Sequence, residues 1–283
     1  MQKRRHFLIV ILYCKSFIKG FQLSEFYDII YRLIKWRSLC SDGCENGEVK
    51  VKEKIYTIPL SEVYRETSEC PFCLLEEKLE KEAVEYALGA SMMEPDARII
   101  SNDKGYCRRH FKMMLAQQKA LSLALVLDTH LNEAIKKIKD ASKTAPVKKM
   151  FSKGGEDKLL STVNAVNSSC VICDKIENTM NKFAEVFWYL YKTEADFKEK
   201  VLSSQGFCLP HFYHVMSKID CELSGKNQET ARHELCELEI NNLERINEEV
   251  NWFTKKFDYR FTNEPWKNSK DAPQRAICKL SKF

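Results

Sequence analysis

The residues best equipped for chemistry fall into two sets with one pattern. Cys70-Pro71-Phe72-Cys73 precedes Gly105-Tyr106-Cys107-Arg108-Arg109-His110-Phe111. About one hundred residues later, Cys170-Val171-Ile172-Cys173 precedes Gly206-Phe207-Cys208-Leu209-Pro210-His211-Phe212. Residues 74–106, 33 in all, separate Cys73 from Cys107, and residues 174–207, 34 in all, separate Cys173 from Cys208. Both copies therefore read CxxC, a near-constant gap, then Gly-aromatic-Cys-x-x-His-Phe. Two residues between donors let a short turn aim both side chains at one ion, and zinc takes four N or S donors at tetrahedral corners. The expected metal ligands are Cys70, Cys73, Cys107, His110, Cys170, Cys173, Cys208 and His211, and the expected cofactor is structural zinc, about two ions per chain.

A lone CxxC also suits a redox pair, and cysteine is often simply a buried thiol. Neither reading explains a histidine three positions after a cysteine, twice in register. An iron–sulfur cluster with one His ligand is the minority alternative. His214 lies one turn past His211, but its counterparts in the first copy are Met113 and Met114, so the repeat selects His211. His6, His130 and His233 have no partner at ligand spacing. Near-equal gaps favour each copy closing its own site. In a swapped arrangement Cys70 and Cys73 would instead share an ion with Cys208 and His211.

Helices must position these residues. Leu75, Leu79, Ala83 and Tyr86 recur at three- and four-residue steps after the first CxxC, as do Ile176, Met180, Phe183, Phe187 and Leu190 after the second, the mark of helices with one buried stripe. Each CxxC and each CxxH thus stands at a helix start, where the positive helix end offsets the formal −1 of three thiolates and an imidazole around Zn²⁺. For local closure, the segment 89–106 must retrace a first helix of about 16 residues, roughly 24 Å long, which an extended chain can do. Leu235, Leu243, Ile246, Val250, Phe253 and Phe257 trace a further long helix. The expected fold is mainly α: two related helical modules in tandem, each with a knuckle-type zinc site at helix N-termini, plus a long C-terminal helix.

Five segments are expected: an atypical N-terminal extension 1–50, a first zinc module 51–140, a basic linker 141–167, a second zinc module 168–262 and a C-terminal tail 263–283. Lys3, Arg4 and Arg5 followed by apolar Phe7–Cys14 imitate a secretory signal, but Lys15 and Lys19 interrupt it and no small-x-small cleavage site follows. Gly47-Glu48-Val49-Lys50-Val51 back-translates as a ribosome-binding sequence before a GTG codon, so the extension is also readable as untranslated leader, with Cys40 and Cys44 as accidents of translation. The net charge of +5 is unevenly spread: residues 1–50 hold nine Lys or Arg against five Asp or Glu, leaving +1 for the rest. A near-neutral body disfavours a nucleic-acid partner, and no apolar run reaches the roughly 20 residues of a membrane span.

The same motifs, together with Lys54–Pro59, Ser91–Asp96, Leu127–Leu131, Trp252–Arg260 and Asn268–Ala272, resemble a bacterial family of unknown function with tandem CPxC and GFCxxH motifs. The resemblance runs from about Val51 to the C-terminus and departs at Val171, where the first copy has Pro71. It implies a length close to that of residues 51–283 and points to Ser91–Asp96 and Trp252–Arg260 as surfaces of interest; it implies no catalytic residues.

Four saturating donors leave no open position for water, which argues against hydrolysis at the metal. The function expected is that of a cytoplasmic zinc-binding helical protein, non-catalytic, acting as an interaction or regulatory module on a protein partner. The alternative is a thiol-redox sensor or enzyme using the CxxC and zinc sites, and the third reading is nucleic-acid binding.

Overall fold

A computed structural model describes residues 54–143 and 157–282. The extension 1–50, with Cys40 and Cys44, lies outside the described residues, as does 144–156 of the expected linker. The described residues belong to one compact unit, Val51–Phe283. They are helical, with no strand among them. No helix among them is long and apolar enough to cross a membrane.

In chain order the α-helices are α1 (Thr57–Val63), α2 (Pro71–Ala87), α3 (Pro95–Lys104), α4 (Arg108–Ala116), α5 (Ala120–Ser142), α6 (Lys158–Ser168), α7 (Val171–Thr193), α8 (Ala195–Leu202), α9 (Leu209–Ser217), α10 (Ile219–Glu222), α11 (Gly225–Lys255) and α12 (Ala272–Ser281). Proline occupies the first turn of α2, α3, α9 and α12, where its missing N–H breaks no intrahelical bond. α6 fills the second half of the segment read as linker. It is capped by Asp157, whose side chain accepts from Leu159 N at 2.9 Å, and it packs on α5.

The core gathers on α7, which buries Phe183, Ala184, Val186, Phe187, Trp188, Leu190 and Tyr191. Phe187 is the hub: its ring centroid lies 6.0 Å from Phe72, 5.7 Å from Phe207 and 5.8 Å from Phe197. Phe72 sits inside the first CxxC and Phe207 immediately precedes Cys208, so these two motif aromatics, which both belong to the group around Phe187, are packing anchors for the neighbouring thiols. Such ring pairs contribute roughly 0.5–1.5 kcal/mol each beyond area burial. Along α11 the predicted stripe holds at Leu235 and Ile246 but fails at Phe257, which is 75 % exposed, because the helix ends at Lys255 and its periodicity ends with it.

α12 closes the unit over α11 and α9. Arg275 contacts Glu69, Glu249 and Asp271, and Arg245 contacts Glu69 and Glu249. Glu69 adjoins Cys70, so this charge cluster fixes the backbone that delivers the first thiol.

Candidate metal centres

Backbone geometry at the four motif starts repeats closely. Cys70 and Cys170 precede α2 and α7 with φ/ψ of −156/107 and −158/119. Cys107 and Cys208 precede α4 and α9 with −74/166 and −77/155. None of the four caps its helix through its side chain, which leaves the sulfur free for another partner. Each CxxC and each CxxH straddles a helix start, as the spacing predicts.

The grouping differs from local closure. Cys70, Cys73, Cys208 and His211 come together as one group, site A, and Cys107, His110, Cys170 and Cys173 as another, site B, with the candidate donor atoms of each within 4.8 Å of one another. Every site thus takes its CxxC from one copy and its CxxH from the other. In site A, His211 Nδ1 lies 3.5, 3.4 and 3.2 Å from the Sγ of Cys70, Cys73 and Cys208, and the Cys73 and Cys208 sulfurs are 3.6 Å apart. In site B, His110 Nδ1 lies 3.2, 3.2 and 3.5 Å from the Sγ of Cys107, Cys170 and Cys173, and the Cys107 and Cys173 sulfurs are 3.8 Å apart. With Zn–S near 2.3 Å and Zn–N near 2.0 Å, a zinc tetrahedron has edges of about 3.8 Å between sulfurs and about 3.5 Å between sulfur and nitrogen. Both groups have these dimensions and could hold a metal ion. His214 joins neither; His130 Nδ1 bonds the Asn102 carbonyl at 2.9 Å, and His233 is exposed beside Glu237.

Local closure fails because the return segment is not extended. A 3₁₀ turn at Ala90–Met93 and the ten-residue α3 shorten it. The first CxxH therefore returns only as far as Glu80, seven residues beyond Cys73 and about 10 Å along the helix. There it meets the start of α7, where Val171 N donates to Gly105 O at 3.1 Å and Ser169 Oγ to Lys104 O at 2.6 Å. α2 starts at site A and passes site B at Glu80. α7 starts at site B and passes α9, where Trp188 Nε1 donates to Val215 O at 2.8 Å. The two helices run past each other in opposite senses.

Two residues that the spacing does not reveal complete the sites. His211 Nε2 is 3.1 Å from Glu76, and His110 Nε2 is 3.0 Å from Glu80, so α2 supplies the outer carboxylate for both histidines. Such a partner fixes the tautomer that turns the Nδ1 lone pair toward the three sulfurs, where a metal ion could accept it, and raises the basicity of the ring. Comparing the copies hides this role, because Ile176 and Met180 occupy the corresponding positions on α7. No signal in the sequence marks either residue; Glu80 stands out only in the structure, where it is a buried carboxylate. Glu80→Gln should weaken metal binding at site B, and Glu76→Gln at site A, each by about 10- to 100-fold, read by competition with a chelator of known zinc affinity; a loss at the opposite site would contradict the pairing.

Electrostatics at the two sites differ. Burial pushes the Glu76 carboxyl up, but hydrogen bonds from His211 and Lys282 outweigh it and hold it at about 2. Burial likewise depresses His211, yet Cys70, Cys73 and Glu76 raise it to about 11. Burial dominates at His110 and lowers it, against the opposing pull of Glu80. The Cys107 thiol is raised by burial and lowered further by the backbone N–H groups of His110 and Arg109, with a net fall, the usual effect of a helix N-terminus on a thiolate. Metal binding needs thiolates and neutral imidazole, and releases the protons they share.

The motif glycines are explained by backbone. Gly105 and Gly206 have φ of 65° and 74°, and a Cβ at either position would lie 2.4 Å from the His130 ring or 2.7 Å from a Glu239 oxygen. Left-handed strain and overpacking together predict a loss of about 2–4 kcal/mol for Gly105→Ala, checked by denaturant unfolding; a change within 0.5 kcal/mol would show that the turn relaxes freely.

Residues 51–283 match the family described as "Family of unknown function (DUF6062)". No curated protein and no solved structure matches the chain.

Proposed function

We propose, for a chain that belongs to that family of unknown function, that its eight motif residues are the ligands of two structural zinc ions, and that the folded unit is a non-catalytic interaction or regulatory module. One observation carries the reading: two Cys₃His groups with the edge lengths of a zinc tetrahedron. Their compactness supports a single ion over an iron–sulfur cluster, which places several atoms between its ligands. Four protein donors leave no position for substrate water, so hydrolytic chemistry at the metal is disfavoured.

Each ion joins a thiol pair from one half of the sequence to a Cys–His pair from the other. Zinc thereby supports the fold that the two modules share, and its binding free energy is folding free energy. Six reduced thiolates fit a reducing compartment, which favours the cytoplasm. The near-neutral charge of residues 51–283 favours a protein over a nucleic acid as partner. Elemental analysis of protein made without added metal should give about two zinc per chain and no absorbance near 400 nm. Chelation that strips both zinc ions should unfold the chain, whereas loss of both ions with the fold intact would refute a structural role.

A further inference from the structure

We propose that site B is an oxidation-sensitive zinc site, at which peroxide joins Cys173 to Cys107 and releases the ion, while site A keeps its own; the proposal rests on the zinc reading above. The two groups share donor chemistry and differ in access. In site A, Cys208 and Cys70 are 0 % and 3 % exposed, and only Cys73 is partly open. α12 lies against that site: Lys279 Nζ donates to the Phe207 carbonyl at 2.9 Å and Lys282 Nζ to Glu76 at 2.7 Å. In site B, Cys173 is exposed and Cys107 partly so, with their sulfurs 3.8 Å apart. Among the described residues, no comparable cluster covers it. Cys236 and Cys278, the other cysteines with described side chains, belong to neither group.

The step balances with hydrogen peroxide as oxidant. The Cys173 thiolate attacks one peroxide oxygen; an S–O bond forms, the O–O bond breaks, and hydroxide leaves. The Cys107 thiolate then attacks that sulfur; the S–S bond forms, the S–O bond breaks, and a second hydroxide leaves. Two electrons pass from the two sulfurs to peroxide, and Zn²⁺ keeps its oxidation state. Left with only Cys170 and His110, the ion dissociates. A thiol reductant reverses the disulfide and restores the site.

Loss of this ion removes the staple between the start of α4 and the start of α7. Among the described residues, the Val171–Gly105 backbone bond, the Ser169–Lys104 bond and the Lys104–Asp174 pair at 2.5 Å still tie this corner to the start of α7, and the Arg109–Glu80 pair at 2.6 Å ties α4 to α2. α3 and α5 reach the core at this corner and through the 3₁₀ turn Ala90–Met93, which packs on α2, while α6 packs on α5 and buries no residue of its own. Release of zinc from site B should therefore loosen α3, α5 and α6 while α11 and α12 stay fixed.

The test titrates the purified zinc-loaded chain with hydrogen peroxide in the presence of a chromogenic zinc chelator, then alkylates free thiols and maps disulfides by mass spectrometry. Expected is loss of one of the two zinc ions in step with a Cys107–Cys173 disulfide, restored by dithiothreitol plus zinc, with hydrogen exchange rising in 95–142 and 158–168. Both ions leaving together, oxidation first at Cys73, or Cys173 pairing with Cys170 would each overturn the proposal. Because the wild-type chain is mapped, no variant has to fold. Total zinc, measured beforehand on unfolded protein, separates the two claims: a chain that never held zinc refutes the zinc reading, whereas two ions that resist peroxide refute only the sensitivity of site B.

Discussion

Cys208→Ser should empty site A, freeing Cys73, 135 residues earlier in the chain, and should leave Cys170 and Cys173, its sequence neighbours, with their own ion. Zinc would fall from about two to about one per chain. Alkylation of the folded variant should label Cys73 faster than in wild type and leave the labelling of Cys170 and Cys173 unchanged; a gain at Cys170 and Cys173 instead would restore local closure and refute the exchanged pairing. The effect on stability is expected to be among the largest for any single substitution. Apparent binding free energies of structural zinc are about 10–16 kcal/mol in small zinc-folded peptides, comparable with the entire 5–15 kcal/mol stability of a typical domain. Even a loss of several kcal/mol lowers Tm by about 10 °C or more in a unit of this size, at 2–4 °C per kcal/mol. Cys173→Ser should also remove one ion but cost less, since its site is open to solvent and staples the peripheral α3, α5 and α6 rather than the aromatic core.

The second large effect is expected at Lys279, which is fully buried. Its ammonium donates to the carbonyls of Gln205 and Phe207 and lies 3.7 Å from Glu239, whose carboxylate accepts Phe207 N at 2.8 Å. Lysine and glutamate thus grip both faces of the peptide that delivers Cys208. Burial lowers the Lys279 pKa and raises that of Glu239, each opposed by the attraction of its partner. Lys279→Met leaves the carboxylate buried without its cation, and breaking such a pair costs about 3–5 kcal/mol.

The sign with pH follows from Glu239. Its folded pKa is already above the unfolded value and rises further once Lys279 is gone. The stability this group contributes is therefore present below the unfolded pKa, near 4.3, and is lost as pH rises toward the folded pKa. The deficit of Lys279→Met relative to wild type should accordingly be smaller at pH 4 than at pH 7. Urea unfolding at both values checks it, and Glu239→Gln combined with Lys279→Met should recover part of the loss. A deficit that grows on acidification would exclude the ion pair as its cause.

The helices were legible in the sequence because each carries its own local evidence. Pro71 and Pro210 mark first turns, the apolar stripes keep a helical period, and the glycine before each CxxH has the positive φ that ends one segment and admits the next. Glu76, Glu80 and Lys279 were not legible. Their roles depend on what lies opposite them across 135, 30 and 72 positions of sequence in the contacts His211–Glu76, His110–Glu80 and Lys279–Phe207, and neither composition nor spacing records such distances.

The sequence alone determined which eight side chains gather and that each pair stands at a helix start, because two donors three positions apart on one turn are a local geometric device. Which pairs meet was decided only in three dimensions. Gaps of nearly equal length permit either partner, and the choice fell to the return segment, which coils into α3 and carries Cys107 and His110 to the start of α7 rather than back to Cys70. The same packing set α12 against one site and left Cys173 of the other exposed, a difference between two matching motifs that arises from the surroundings each one reaches.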